Sequence, residues 1–206
     1  MPTPLEDRPI AVVKVGGSLF DWPELPARLE AYLQNDEFEQ ERVVLVAGGG
    51  PFADAVRAVD AIHSLGERTC HRLALRAMDV SAAFLASLIS ESIVVEDFSQ
   101  AADGWREGRR PILAPRRYME GVDERGDNPL PLSWGTTSDS IAARIADHHG
   151  ATRLALLKSS SSSAVDRTEA CRLGLVDPIF PEASRKIPRV ELVAFRQDRW
   201  RTSRLA

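Results

Sequence analysis

Short apolar runs alternate with longer segments of helical period along the 206-residue chain. The runs "IAVVKV" (10–15), "RVVLVA" (42–47), "SIVVED" (92–97), "RPILAP" (110–115), "RLALLK" (153–158) and "VELVAF" (190–195) are rich in Val, Ile and Leu. They are too short for stable helices and predict six strands. Residues 21–34 predict a helix with Asp21 as N-cap and Leu25, Leu29 and Leu33 on one face. Residues 51–65 predict a second, opened by Pro51, with Phe52, Val56, Val59 and Ile62 as its buried stripe. Residues 69–90 predict a third, with Leu73, Ala77, Phe84 and Leu88 turned inward, and residues 137–149 a further one. Residues 99–110 read as a short helix or loop, and 118–135, rich in Gly, Pro and charge, as a long loop. Strands interleaved with helices predict an α/β fold, a three-layer αβα sandwich around a mostly parallel sheet. With no repeat and no linker, residues 1–206 read as a single domain.

Two of the predicted strands end in glycine clusters, "KVGGS" and "AGGGPFAD", each followed by a helical pattern. Amides freed in such a turn, with the positive end of the following helix, form an anion site. Lys14 beside the first cluster strengthens that reading. In open α/β sheets ligands bind beyond the carboxyl ends of the strands, where both clusters fall. Neither a GxxxxGK[ST] loop nor a GxGxxG fingerprint is present.

Composition narrows the partners. The 44% apolar and 27% charged content is that of a globular protein, and 26 basic against 30 acidic residues leaves a net charge of −4. That balance argues against bulk nucleic-acid binding. Cys70 and Cys171 have neither metal-ligand nor disulfide-framework spacing. Residues 1–10 lack the pattern of a signal peptide, and no apolar run is long enough for a membrane span. A cytoplasmic protein with no membrane and no nucleic-acid partner is expected.

The segments "VKVGGS", "VLVAGGGPFAD" and "TTSDSIAARIA" (136–146) resemble the three signatures of the amino acid kinase family. "HRLALRAMDV", "LSWGTTSDS" and "LVDPIFPE" resemble, within it, the aminomethylfuran phosphate kinase group of methanofuran biosynthesis. The resemblance implies a carbamate kinase-like fold, a homo-oligomer, ATP as phosphoryl donor, and Mg²⁺ held by the nucleotide with no protein metal ligand. It implies that Lys14, Gly16, Gly17, Ser18 and Lys158 meet the donor phosphates and that Asp139 orients the catalytic lysines Lys14 and Lys158. Gly48, Gly49 and Gly50 would cradle the acceptor, with His71, Arg76, Trp134, Thr137 and Ser138 as further substrate contacts. Read without the resemblance, Asp139 is a first-turn helix acid and Lys158 a solvated strand-end lysine. His71, Arg72, Arg76 and Asp79 are then a solvated or salt-bridged helix face, and Trp134 is loop packing. His148 and His149 read as cationic caps of a helix C-terminus.

The pattern breaks after Lys158. Where the family has a "DVDG"-like turn, this chain reads "KSSSSSAVDRTEACRLGLVDP", a nucleotide-side region shortened from about residue 158. The tail is basic, with Arg185, Lys186, Arg189, Arg196, Arg199, Arg201 and Arg204. Two readings stay open here. One is a small-molecule kinase with a phosphate or carboxylate acceptor; the other is a non-catalytic metabolite-binding or scaffold protein on the same fold.

Overall fold

The computed structural model describes residues 3–160 and 164–206, so the serine run is covered only at Ser159 and Ser160. All six expected strands form: β1 (Ile10–Val15), β2 (Arg42–Ala47), β3 (Ser92–Val95), β4 (Arg110–Leu113), β5 (Arg153–Lys158) and β6 (Arg189–Ala194). A seventh, β7 (Arg201–Leu205), was not expected. Its residues "RTSRL" are nearly all polar and only Leu205 is buried, so it carries no apolar run. It is an edge strand that pairs with β6, Val190 opposite Leu205. The sheet order is β3-β4-β2-β1-β5-β6-β7, parallel throughout except for that last pair.

The helices are α1 (Leu25–Leu33), α2 (Gly50–His63), α3 (Glu67–Leu88), α4 (Phe98–Arg106), α5 (Pro115–Tyr118), α6 (Ser138–His148), α7 (Arg167–Arg172) and α8 (Phe180–Ala183). They cover both faces of the sheet, and strand parity decides which residues meet which layer. Val12, Val44, Val46, Leu154 and Leu156 pack toward Ile141 and Ile145 of α6 and Leu75 and Met78 of α3. Val13, Val15, Leu45, Ala155 and Leu157 pack toward Leu25 and Leu29 of α1 and Leu85 of α3. Lys14 shares the parity of Val12, and Lys158 that of Leu154 and Leu156. Both lysines therefore belong to the face that α6 covers.

Several local expectations give way to tertiary packing. The helix α2 buries only Ala53, while Val59 and Ile62 are 47% and 76% exposed. It leans on α3 rather than on the sheet, so its apolar stripe has no sheet beneath it. On α3 the buried positions include Cys70, Leu75, Met78, Ser81, Ala82 and Leu85; of those expected, Ala77 alone is buried. Asp21 does not cap α1, whose N-cap is Glu24, and instead pairs with Arg196. The expected loop 118–135 opens as helical turns through Asp123, a buried carboxylate that accepts from Leu130 N and meets Arg144. Burial, then the neighbouring His148, lower His149 to about 4, and its ring stacks on Phe98. It is neutral at pH 7, so it is no cationic cap. Among the described residues no helix is long and apolar enough to cross a membrane.

Candidate active site

β1 sits where the chain reverses its build direction: β2, β4 and β3 lie to one side, β5 and β6 to the other. Such a switch point opens a crevice beyond the strand ends. Parity and register then bring three charged groups together. Lys14 stands opposite Leu156, so Lys158 lies two residues further along the neighbouring strand on the same face. Asp139 is the second residue of α6, with Thr137 as N-cap. Its Oδ1 is 2.9 Å from Lys14 Nζ, and its Oδ2 accepts from Lys158 Nζ at 2.6 Å. The chain has only three lysines, and two of them converge on this one carboxylate.

The electrostatics follow from burial. Lys14 and Asp139 are 4% and 5% exposed. Burial alone would raise the Asp139 carboxyl, but the two ammoniums more than reverse it and hold it below the ordinary carboxylate value. Burial and then the like charge of Lys14 lower Lys158, with Asp139 opposing. With both lysines protonated, the cluster carries one net positive charge at the wall of a cavity of about 550 Å³.

The glycine turns form the floor of that cavity. A Cβ on Gly17 would stand 2.2 Å from Gly50 N, so the two loops touch backbone to backbone. Gly50 itself takes φ +50°, a left-handed conformation open to glycine. Gly16 N donates to Leu157 O and Gly48 N to Val15 O, which extends the sheet ladder and removes those two amides from the expected anion cradle. Gly16 still lines the cavity, whereas Gly48 does not. The amides of Gly17, Ser18, Gly49 and Gly50 stand in the first turns of helical segments or at the cap, where no intrahelical acceptor exists. Gly17→Ala is expected to force the loops apart, costing about 1–3 kcal/mol of stability and weakening the binding of any anion held between them. Thermal unfolding and isothermal titration calorimetry measure the two losses.

The remaining expected contacts divide. Ser18, Gly49, His71, Trp134, Thr137 and Ser138 line the cavity together with Lys14, Asp139 and Lys158. Arg76 is exposed and does not line it. Five helical positions separate it from His71, about 140° around the helix. Arg72 is held by Glu120 and Glu124, and Asp79 by Arg116, which is the salt-bridged helix face read without the resemblance. His71 Nδ1 lies 3.2 Å from Ser133 O, which requires the proton on Nδ1. Burial holds its pKa below the ordinary value despite that bond, so it offers no charge to an anion. Trp134 is anchored by Nε1 to Asp60 at 3.0 Å, with Arg57 4.7 Å from its ring. Arg57 and Phe20 also line the cavity, and neither was expected. Nothing in the local sequence marks them; α2 aims Arg57 only because it packs on α3. Ser159, to which the sequence assigned no role, has its hydroxyl 2.9 Å from that of Ser18, while Ser161–Ser163 lie outside the described residues.

Among the described residues no group of three or more His, Cys, Asp or Glu is arranged to hold a metal. The cavity wall offers ammoniums and amides, which fits a nucleotide whose phosphates carry their own magnesium ion.

Comparison with known proteins agrees with this fold. A profile of the amino acid kinase family matches residues 9–162. The chain is 28% identical over 138 residues to the [5-(aminomethyl)furan-3-yl]methyl phosphate kinase of Methanocaldococcus jannaschii, covering 65% of this chain and 58% of that relative's length. Among solved structures it resembles the UMP kinase of Ureaplasma parvum, with TM-score 0.63 and 13% identity over 93% of this chain and 91% of that one. It also resembles the aspartate kinase of Synechocystis, with TM-score 0.69 and 15% identity over 96% of this chain and 40% of that one. At such identities the structural likeness is one of fold.

Proposed function

The chain belongs to the amino acid kinase family, and from that footing we propose that it is a small-molecule kinase transferring a phosphoryl group from ATP to a phosphate or carboxylate acceptor. The observation that carries the reading is the Asp139 carboxylate gripping Lys14 and Lys158 at the mouth of two touching glycine turns. Phosphoryl transfer asks little covalent chemistry of a protein; it asks for in-line positioning and neutralisation of charge on the transferring group.

Each residue has a part in that. Lys14 and the Gly17 and Ser18 amides hold donor phosphates, and Lys158 meets the transferring group from the neighbouring strand. Asp139 fixes both ammoniums in advance, so no reorganisation is needed when charge moves. Gly49 and Gly50 face the acceptor, and Trp134, held rigid by Asp60, offers it a flat apolar wall. Magnesium bound to the nucleotide would supply further positive charge. The acceptor named for the Methanocaldococcus relative, [5-(aminomethyl)furan-3-yl]methyl phosphate, is the first to assay. Family membership supports a homo-oligomer, which light scattering measures.

Calorimetry with Mg-ATP, followed by a radiolabel-transfer assay over phosphate-ester and carboxylate acceptors, tests the proposal. Micromolar to sub-millimolar nucleotide binding and transfer to one acceptor class are expected. No binding at millimolar nucleotide would sink it in favour of a non-catalytic phosphate-binding protein, the reading that the shortened region after Lys158 favours.

The pH dependence is a second check. Because burial and Lys14 hold Lys158 below the ordinary lysine value of 10.5, its ammonium is lost early as pH rises. The rate is therefore expected to fall along an alkaline limb beginning below that value. Lys158→Arg, which stays protonated, is expected to flatten the limb at reduced turnover.

A further inference from the structure

Asp177 is a carboxylate only 7% exposed, and among the described residues no cation pairs with it. Six hydrogen bonds hold it instead. Oδ2 accepts from Thr137 N at 3.1 Å, Thr137 Oγ1 at 2.6 Å and Ser140 N at 3.1 Å. Oδ1 accepts from Ser140 Oγ, from Ile179 N at 3.0 Å and from Phe180 N at 3.1 Å. Thr137 and Ser140 bracket Asp139 on the first turn of α6, and Thr137 Oγ1 also accepts from Asp139 N at 3.3 Å. One carboxylate thus grips the backbone on both sides of the group that holds the two lysines. Its other contacts tie that turn to the start of α8.

We propose that Asp177 is the positioning residue of the site: by clamping both flanks of Asp139 to the start of α8, it sets the place from which Asp139 reaches Lys14 and Lys158. A buried carboxylate without a counter-ion is costly unless its lone pairs are filled. Here they are filled almost wholly by donors of one helical turn and one helix start. Asp177 does not line the cavity, so it reaches the site only through these bonds. The clamp acts on Asp139 through the N-cap, and a shift of about 1 Å there is enough to cost roughly 10²-fold in rate.

The inference rests on the kinase reading only for its rate readout. The charge of Lys158 gives a readout independent of turnover, since three lysines give three resolvable ε-¹³C signals in labelled protein, with exposed Lys186 as internal reference. The charged groups acting on Lys158 are Lys14, Asp139 and Asp177. Two variants separate charge from position. Asp177→Asn removes the charge and one set of acceptor lone pairs. Ser140→Ala keeps the charge and removes one arm of the clamp, at a buried position outside the cavity.

In both variants the Lys158 signal is expected to titrate at lower pH than in the wild type, since Asp139 loses its fixed place. In the rate arm, kcat is expected to fall roughly 10²-fold for Asp177→Asn and about tenfold for Ser140→Ala, with KM changed less than about twofold. A folded Ser140→Ala protein whose Lys158 titration matches the wild type would overturn the clamp, whatever its rate. Should Asp177→Asn fail to fold, Ser140→Ala alone decides. If the wild type transfers no phosphoryl group to any acceptor, the kinase reading fails while the lysine titration still judges the clamp.

Discussion

Lys14→Met is expected to lower kcat by roughly 10³-fold or more while the thermal midpoint moves by only a few degrees. The asymmetry comes from the site's charge count. Lys14 is 4% exposed at the end of a central strand, and Met fills nearly the same volume. Asp139 keeps Lys158 at 2.6 Å, so the substitution strands no carboxylate. What disappears is an ammonium aimed at the cavity, which matters only when phosphate charge must be neutralised. Steady-state kinetics beside differential scanning calorimetry makes the comparison. A parallel collapse of rate and stability would mean that Lys14 holds the sheet end together and does no chemistry. Asp139→Asn should behave differently, because it leaves two ammoniums face to face and lowers Lys158 further. Its rate loss is expected to come with a steeper alkaline limb.

The largest expected loss of stability lies at the opposite end of the sheet. Arg153, at the start of β5, is 3% exposed and pairs with Glu191 at 2.8 Å, Glu41 at 3.3 Å and Glu37 at 3.0 Å. It also lies 4.2 Å from the Phe38 ring. Glu191 is 2% exposed, and Arg189 is its other partner. Arg153→Ala strips the shared cation from these acids, and breaking a buried pair from one side costs about 3–5 kcal/mol. For a chain of this size each kcal/mol is worth about 2–4 °C, so the midpoint is expected to drop by roughly 6–20 °C at neutral pH. The sign with pH follows from Glu41. Burial already holds its pKa above the ordinary value, even with Arg153 nearby to lower it. A carboxyl whose folded pKa is raised weakens the fold as pH rises through the carboxylate range, and the penalty is full above the folded pKa. Without Arg153 that penalty grows. The difference between variant and wild type is therefore greatest at pH 7 and shrinks as pH falls and the acids protonate. A loss independent of pH would show that the packing of the Arg153 stem, and not its charge, is what the core needs.

Much of this was legible in the chain itself. Runs of Val, Ile and Leu too short for helices could only be strands, and glycines at two strand ends marked where backbone must approach backbone. Because side chains alternate along a strand, the parity of Lys14 with Val12 and of Lys158 with Leu156 was already written in the order of residues. The limits are equally physical. Periodicity says which residues share a face but not what covers it, so the α2 stripe at Val59 and Ile62 lies in solvent. A nearly all-polar edge strand such as β7 has no apolar pattern to betray it.

At the site, sequence by itself determined the residue types and the strand ends that carry them. Alone, Asp139 was as readily an ordinary first-turn acid as an organiser of lysines. Only the parallel order of β1 and β5 under α6, which sets Lys14 and Lys158 side by side, settled where that carboxylate would find its partners. Asp177 belongs wholly to the tertiary structure, since it acts on a turn forty residues away. Contacts that distant are set by the packing of whole elements, and no local pattern encodes them.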